Sequence, residues 1–213
     1  MRNLVKPLAG LYLVTPDWDD TDLLIKVTER ALSGGAAIVQ YRHKFATPTL
    51  REEQASALQG LCRQFNVPFI INDHIDLCLR LDADGVHVGG TDISVASARS
   101  AVGANKIVGA SCYGDLNLAR AANLGGASYV AFGGFYPSRV KKYPVTTSTD
   151  IIGSACASIP LSNVVIGGMT AENCQPLIAA GADMVAAISS VYLAADPQAA
   201  AREFVQLFER GRP

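Results

Sequence analysis

Short apolar runs alternate along the chain with longer stretches in which apolar residues recur every three or four positions. Leu11-Tyr12-Leu13-Val14-Thr15-Pro16 is the first run, a strand stopped by Pro16. Asp19, Asp20 or Thr21 can then cap a helix through Leu23, Leu24, Val27, Ala31 and Leu32, which Gly34-Gly35 ends. The strand Ile38 to Lys44 follows, then a helix from about Pro48 to Phe65 and the strand Val67 to Asp73. Further strands are expected at Gly85 to Gly89, Lys106 to Ser111, Tyr129 to Gly134, Asn163 to Gly168 and Met184 to Ser189. The intervening helices are placed at Val95 to Val102, Leu116 to Leu124, about Ser148 to Ala157, Ala171 to Ala180 and Pro197 to Arg210. The rhythm is read as eight strands and eight helices, with no bounds set for a helix between Asp73 and Gly85.

Turns at the helix-to-strand joins repeat: Gly34-Gly35-Ala36, Asp82-Ala83-Asp84-Gly85, Gly125-Gly126-Ala127 and Gly181-Ala182-Asp183. Each offers Gly where a helix end needs a left-handed residue. Continuous apolar strands alternating with amphipathic helices require a parallel sheet covered by helices. Eight such units fit a closed (β/α)₈ barrel, a TIM barrel, spanning residues 1–213 as one domain. The competing open doubly wound sheet would want Gly-x-Gly-x-x-Gly after its first strand, which the chain lacks.

Composition narrows the function classes. A 49% hydrophobic fraction with 17% charged residues supports a sizeable core. The net charge of −1, from 18 basic and 19 acidic residues, provides no field for nucleic acid or an anionic membrane. Any anion site must therefore be local. The five cysteines are scattered and form no Cys-x-x-Cys pair, as expected of small buried hydrophobes in a reducing compartment. The N-terminal stretch lacks a signal peptide's apolar core and no apolar run reaches ~18 residues, so a soluble, cytoplasmic protein is expected. The oligomeric state, a homo-oligomer included, stays open.

Candidate chemistry begins at Gln40-Tyr41-Arg42-His43-Lys44. Alternation on a strand points Gln40, Arg42 and Lys44 the same way. Two readings fit: two cations and an amide facing an anion, or an edge strand whose polar face meets water. A barrel gathers chemistry at the C-terminal ends of its strands. Those ends supply Gln40, Arg42 and Lys44, then Asn72 and Asp73, then Asp92, Ser111, the loop Ser138 to Lys142, Gly167-Gly168 and Ser189. Asp73 and Asp92, on adjacent strand ends, suit Mg²⁺; the alternative is that Asp73 caps a helix and Asp92 ends a turn. Arg42, Lys44 and Lys141 with Mg²⁺, against Asp73 and Asp92, leave +3, which matches a diphosphate better than a neutral sugar. Gly168 and Ser189-Ser190, after strands seven and eight, suggest a second phosphate site, or glycines that only relieve crowding. Two phosphorylated substrates would then meet. His43 is expected to face the helical layer, His74 to approach the rim and His87 to be a buried, hydrogen-bonded histidine. No Ser/His/Asp or Cys/His nucleophile is apparent.

Gln40-Tyr41-Arg42-His43-Lys44, Ile71-Asn72-Asp73, Gly85-Val86-His87-Val88-Gly89 with Asp92, Gly109-Ala110-Ser111, Gly133-Gly134-Phe135-Tyr136-Pro137 with Lys141-Lys142, Ile166-Gly167-Gly168-Met169-Thr170 and Ile188-Ser189 together resemble the thiamine phosphate synthase family. The resemblance runs in order over nearly the whole chain. It implies a (β/α)₈ transferase that joins a hydroxymethylpyrimidine diphosphate to a thiazole phosphate, plain or carboxylated, releasing diphosphate. It further implies that Gln40 to Lys44, Tyr41 and His43 included, bind the pyrimidine diphosphate with Asn72, Ser111 and Lys141. Asp73 and Asp92 would hold Mg²⁺. Ser138, Arg139 and Val140 would meet the thiazole, and Gly168, Ile188 and Ser189 its phosphate. Arg42, Lys44, Lys141 and Ser111 would act on the departing diphosphate. The chain departs from the family pattern at Gly90, Val140, His74 and Tyr113, and Val140 lacks the Thr hydroxyl usual at that position. Rival readings are a thiazole tautomerase-like protein, a phosphosugar epimerase or aldolase barrel, and a barrel that binds thiamine precursors without turning them over.

Overall fold

The computed structural model describes residues 8–89, 93–137 and 147–210, whose eight strands pair in sequence order into a closed parallel barrel. Strand β1 (Gly10–Val14) pairs with both β2 (Ile38–Tyr41) and β8 (Met184–Ala187), which closes the cylinder. Between them run β3 (Phe69–Asn72), β4 (Gly85–Val88), β5 (Ile107–Tyr113), β6 (Tyr129–Gly133) and β7 (Ser162–Ile166). A closed barrel has no edge, and Gln40 is only 5% exposed, so the edge-strand reading of this stretch is overturned.

Alternation along the strands sorts the apolar residues into two cores. Ile38, Ile70, Val164, Met184 and Ala186 turn inward and pack with Tyr12 and Tyr129. Val39, Phe69, Ile71, Val86, Val108, Val130 and Val185 belong to the larger core under the helices. Helix α1 (Thr21–Ser33) lays Leu24, Thr28, Ala31 and Leu32 on that surface, and of its candidate caps Asp20 accepts from the Leu23 N–H at 2.9 Å. Helix α2 (Pro48–Phe65) starts behind the cap Thr47 and stops at Asn66, which is left-handed at φ +54°. Helix α3 (Ile75–Leu81) occupies the segment for which the pattern set no bounds; it buries Leu77 and Cys78 and is too short to show a periodicity. Helices α4 (Val95–Val102), α5 (Leu116–Leu124) and α6 (Asp150–Ser158) follow in step.

Several boundaries differ from expectation for identifiable reasons. β2 stops at Tyr41 because the backbone beyond it bonds to the loop after β1. The Arg42 N–H donates to Thr15 Oγ1 at 2.8 Å, the Thr15 hydroxyl donates back to the Arg42 carbonyl at 2.9 Å, and the Lys44 N–H donates to Asp17 Oδ1 at 2.8 Å. Helix α7 (Gln175–Ala179) begins later than Ala171 because Thr170 and Asn173 exchange side-chain-to-backbone bonds of 2.9 and 3.3 Å, which hold a turn. β8 ends at Ala187, and Ser189 instead opens α8 (Ser189–Tyr192), ahead of the closing helix α9 (Pro197–Arg210). After α3 the left-handed residue is Asp82, not Gly85. Four cysteines are buried as expected, whereas Cys156 is exposed. Among the described residues no helix is long and apolar enough to cross a membrane.

Candidate active site

At the C-terminal mouth of the barrel, the turn after β2 carries the cations. Arg42 Nη1 lies 3.3 Å from both carboxylate oxygens of Asp17, in a pair whose side chains are 12% and 23% exposed. The other guanidinium nitrogens of Arg42 meet no acceptor among the described residues. Lys44 reaches the next strand and pairs through Nζ with Asp73 Oδ2. Asn72 Nδ2 donates to that same oxygen at 2.6 Å. Asp73 is left-handed at φ +62°, and its N–H donates to the His87 carbonyl at 2.9 Å, which fixes where the carboxylate leaves the backbone. His43 is buried, with Nε2 3.0 Å from Asp19 and Nδ1 3.8 Å from Asp17. Next to Asp73, burial first and the Arg51 guanidinium second hold the His74 imidazole below its usual pKa.

Inside the barrel the strands carry a continuous polar chain. Gln40 Nε2 donates to Tyr12 Oη at 2.8 Å, and Tyr12 Oη lies 2.6 Å from Tyr129 Oη. Tyr129 Oη is 2.9 Å from His87 Nδ1, and His87 Nε2 is 2.9 Å from Ser111 Oγ. Two residues expected at one anion site, Gln40 and Ser111, thus stand at the two ends of a hydrogen-bonded path through three buried rings. Burial raises the pKa of both phenols, which keeps them neutral.

The third part of the mouth lies beyond β7 and β8. Gly168 is left-handed at φ +63°, and a Cβ there would stand 2.2 Å from the Pro137 carbonyl oxygen. The close approach that requires glycine is thus made by the chain itself, at the exit of β6. Ile188 packs against the inner cluster, and Ser189 starts the short helix α8. Beside it, Ser190 Oγ is buried without a hydrogen-bond partner among the described residues.

Comparison with known proteins decides the family. A family model described as "Thiamine monophosphate synthase" matches residues 11–191. The chain belongs to the thiamine monophosphate synthase family. The thiamine-phosphate synthase of Janthinobacterium sp. (strain Marseille) is 66% identical over 203 residues, covering 95% of this chain and 98% of that protein. The one from Methylobacillus flagellatus is 49% identical over 208 residues, covering 97% and 99%. Among solved structures, the thiamine phosphate pyrophosphorylase of Pyrococcus furiosus superposes with a TM-score of 0.83 at 29% identity, covering 96% of this chain and 98% of that one. Membership makes the chain an enzyme: a transferase of thiamine biosynthesis that forms thiamine phosphate.

Of the residues that the resemblance to this synthase family singled out, the structure gathers Gln40, Arg42, Lys44, Asn72, Asp73 and Ser111 on the mouth side of β2, β3 and β5. It does not bring Tyr41 or His43 there. Tyr41 belongs to the outer core and donates its phenol proton to Gln54 Oε1 at 3.0 Å, and His43 is occupied by the β1 loop. Asp92, Ser138, Arg139, Val140, Lys141 and Lys142, with the departure at Gly90, lie outside the described residues. Asp17, which collects Arg42, His43 and the Lys44 N–H, is not among the residues that the sequence pattern singles out. Its carboxylate changes the expected charge balance from +3 to +2. An Asp directly after a strand-ending Pro was the available signal. In the sequence, Tyr12 and Tyr129 stand within apolar strands and carry no sign of the bond between them.

Proposed function

We propose that this synthase takes a hydroxymethylpyrimidine diphosphate and a thiazole phosphate as its substrates. The observation that carries this reading is the joint placement of Arg42, Lys44 and Asn72 at one mouth with Ser111 across from them, around a carboxylate, Asp73. The uncommitted guanidinium nitrogens of Arg42 suit phosphate oxygens in a way that a neutral substrate would not need. In this reading Arg42, Lys44 and Lys141 hold the diphosphate. The carbon–oxygen bond breaks with its electron pair leaving on diphosphate, and the thiazole nitrogen lone pair then forms the new carbon–nitrogen bond. Arg42 and Lys44 stabilise charge where it accumulates, on the leaving oxygens.

The donor set at Asp73 also fits a hard divalent cation, since Mg²⁺ binds through one or two carboxylates plus phosphate oxygens. Asp73 would hold it together with Asp92, and Mg²⁺ when bound would neutralise charge on the diphosphate. The orphaned Ser190 hydroxyl beside Ile188 and Ser189 supports a thiazole phosphate at that end.

The direct test mixes both substrates, with the thiazole plain and carboxylated, with and without Mg²⁺, and quantifies thiamine phosphate and diphosphate. Equimolar, Mg²⁺-dependent formation of both is expected. Undiminished formation by the Asp73→Ala plus Asp92→Ala variant would remove the assigned metal role.

A further inference from the structure

The path from Gln40 to Ser111 has a direction, set by counting protons. A phenol has one proton to give, and a neutral imidazole carries one on either nitrogen. Gln40 Nε2 donates to Tyr12 Oη, so the proton of Tyr12 is the one available for Tyr129 Oη, 2.6 Å away. With His87 neutral, the proton of Tyr129 falls to His87 Nδ1, which accepts it. His87 therefore carries its own proton on Nε2 and gives it to Ser111 Oγ. The Ser111 oxygen is left accepting from within the barrel, and its hydroxyl proton is turned outward.

We propose that Tyr12 and Tyr129 are positioning residues that fix His87 as its Nε2–H tautomer and so make the Ser111 hydroxyl a dedicated donor to an anionic oxygen of the bound substrate. The proposal rests on the preceding reading only for the identity of that oxygen, which would be one on the departing diphosphate. Two further features hold the path in place. The His87 and Tyr129 rings stack with centroids 5.6 Å apart, and Tyr12 meets Tyr129 edge to face at 5.8 Å. At residue 109 a Cβ would stand 2.1 Å from Tyr129 Cζ and 2.6 Å from His87 Nδ1, so glycine there is what admits the ring between the strands. Fixed donors aimed at developing negative charge act without reorganising during the reaction, whereas a serine free to rotate serves as donor or acceptor indiscriminately.

The test reads the tautomer and the kinetics separately. Nitrogen-15 NMR of the substrate-free protein, with the His87 signal identified by its loss in His87→Gln, should show the Nε2–H tautomer; Tyr129→Phe should shift it toward a mixture. Tyr129→Phe should also lower kcat by about three- to tenfold, as loss of one hydrogen bond does, with KM for thiazole phosphate unchanged. Ser111→Ala should cost more, and the double variant should be no slower than Ser111→Ala alone. An Nδ1–H tautomer in the unaltered protein would mean that the path runs the other way, with Ser111 an acceptor, and overturns the proposal. So would additive losses in the double variant. Tyr12→Phe breaks the path one step earlier, and the same two readouts apply should Tyr129→Phe not fold. Absence of thiamine phosphate synthesis by the unaltered enzyme would instead defeat the substrate reading and leave the tautomer result standing.

Discussion

Asp17 holds Arg42 by one nitrogen only: both of its carboxylate oxygens lie 3.3 Å from Nη1. The guanidinium is therefore aimed by a carboxylate from the neighbouring loop while keeping donors for an anion. Arg42→Ala should raise KM for the pyrimidine diphosphate at least tenfold, in line with the loss of a charge-assisted contact, and leave thiazole phosphate binding intact. Asp17→Ala should reproduce part of that loss without removing any positive charge. Steady-state kinetics with each substrate varied in turn would show it, and equal losses for both substrates would mean that the two anion sites have been confused.

The Asp73 carboxylate is shared between Lys44 and Asn72. Asp73→Asn keeps the shape and removes the charge, so half-maximal activity should require about ten- to a hundredfold more Mg²⁺, and chelation should abolish product in either protein. Titration of initial rate against Mg²⁺ decides the point; an unchanged midpoint would exclude Asp73 as a metal residue.

Space at residue 109 is already taken by the Tyr129 ring. Gly109→Ala should destabilise the fold by about 1–3 kcal/mol through overpacking. For a chain of this size that amounts to a lowering of Tm by about 2–4 °C for each kcal/mol, readable by calorimetry. A Tm equal to that of the unaltered protein would show that the strands yield more easily than the structure implies.

His74 gives a pH dependence whose sign is fixed. Burial and Arg51 depress its pKa in the folded protein below the ordinary ~6.5. Between the two values the unfolded chain binds more protons, so stability rises with pH there. The contribution is complete above about pH 6.5 and is lost as the pH falls through the folded value. Urea midpoints at about pH 7.5 and about pH 5.5 should differ less in His74→Asn than in the unaltered protein; a larger difference would reverse the sign.

Of the five cysteines only Cys156 is exposed, and burial of its sulfur with the nearby Asp183 pushes its thiol pKa up. One thiol per chain should react with a disulfide reagent under native conditions, slowly at neutral pH and faster in alkali, and all five after denaturation. Rapid native reaction of more than one would contradict the burial of Cys62, Cys78, Cys112 and Cys174.

The barrel was legible because its strands are unbroken apolar runs and its helices carry one apolar face each; period alone separates the two. The positions of Arg42, Lys44, Asn72, Asp73 and Ser111 followed from counting strand ends. What was not legible depends on contacts between strands distant in sequence. Nothing in Leu11-Tyr12-Leu13 distinguishes a phenol that packs from one that bonds across 117 positions to Tyr129. The early end of β2 was likewise hidden, because it is set by Thr15 and Asp17 on another loop. Tyr41 shows the converse: its side was available from alternation with Gln40, and the motif drew it to the mouth all the same.

Most barrels of this type fill the axis with branched aliphatic side chains, and this one places Ile38, Ile70 and Val164 there. Packed with them in the same inner cluster are two phenols, Tyr12 and Tyr129, joined by hydrogen bond to the His87 imidazole. Redesigning that cluster with leucine and isoleucine for heat resistance would gain apolar contact at the expense of interior groups that set the orientation of a proton. Thermostabilising libraries for this synthase are therefore best confined to the outer core beneath the helices.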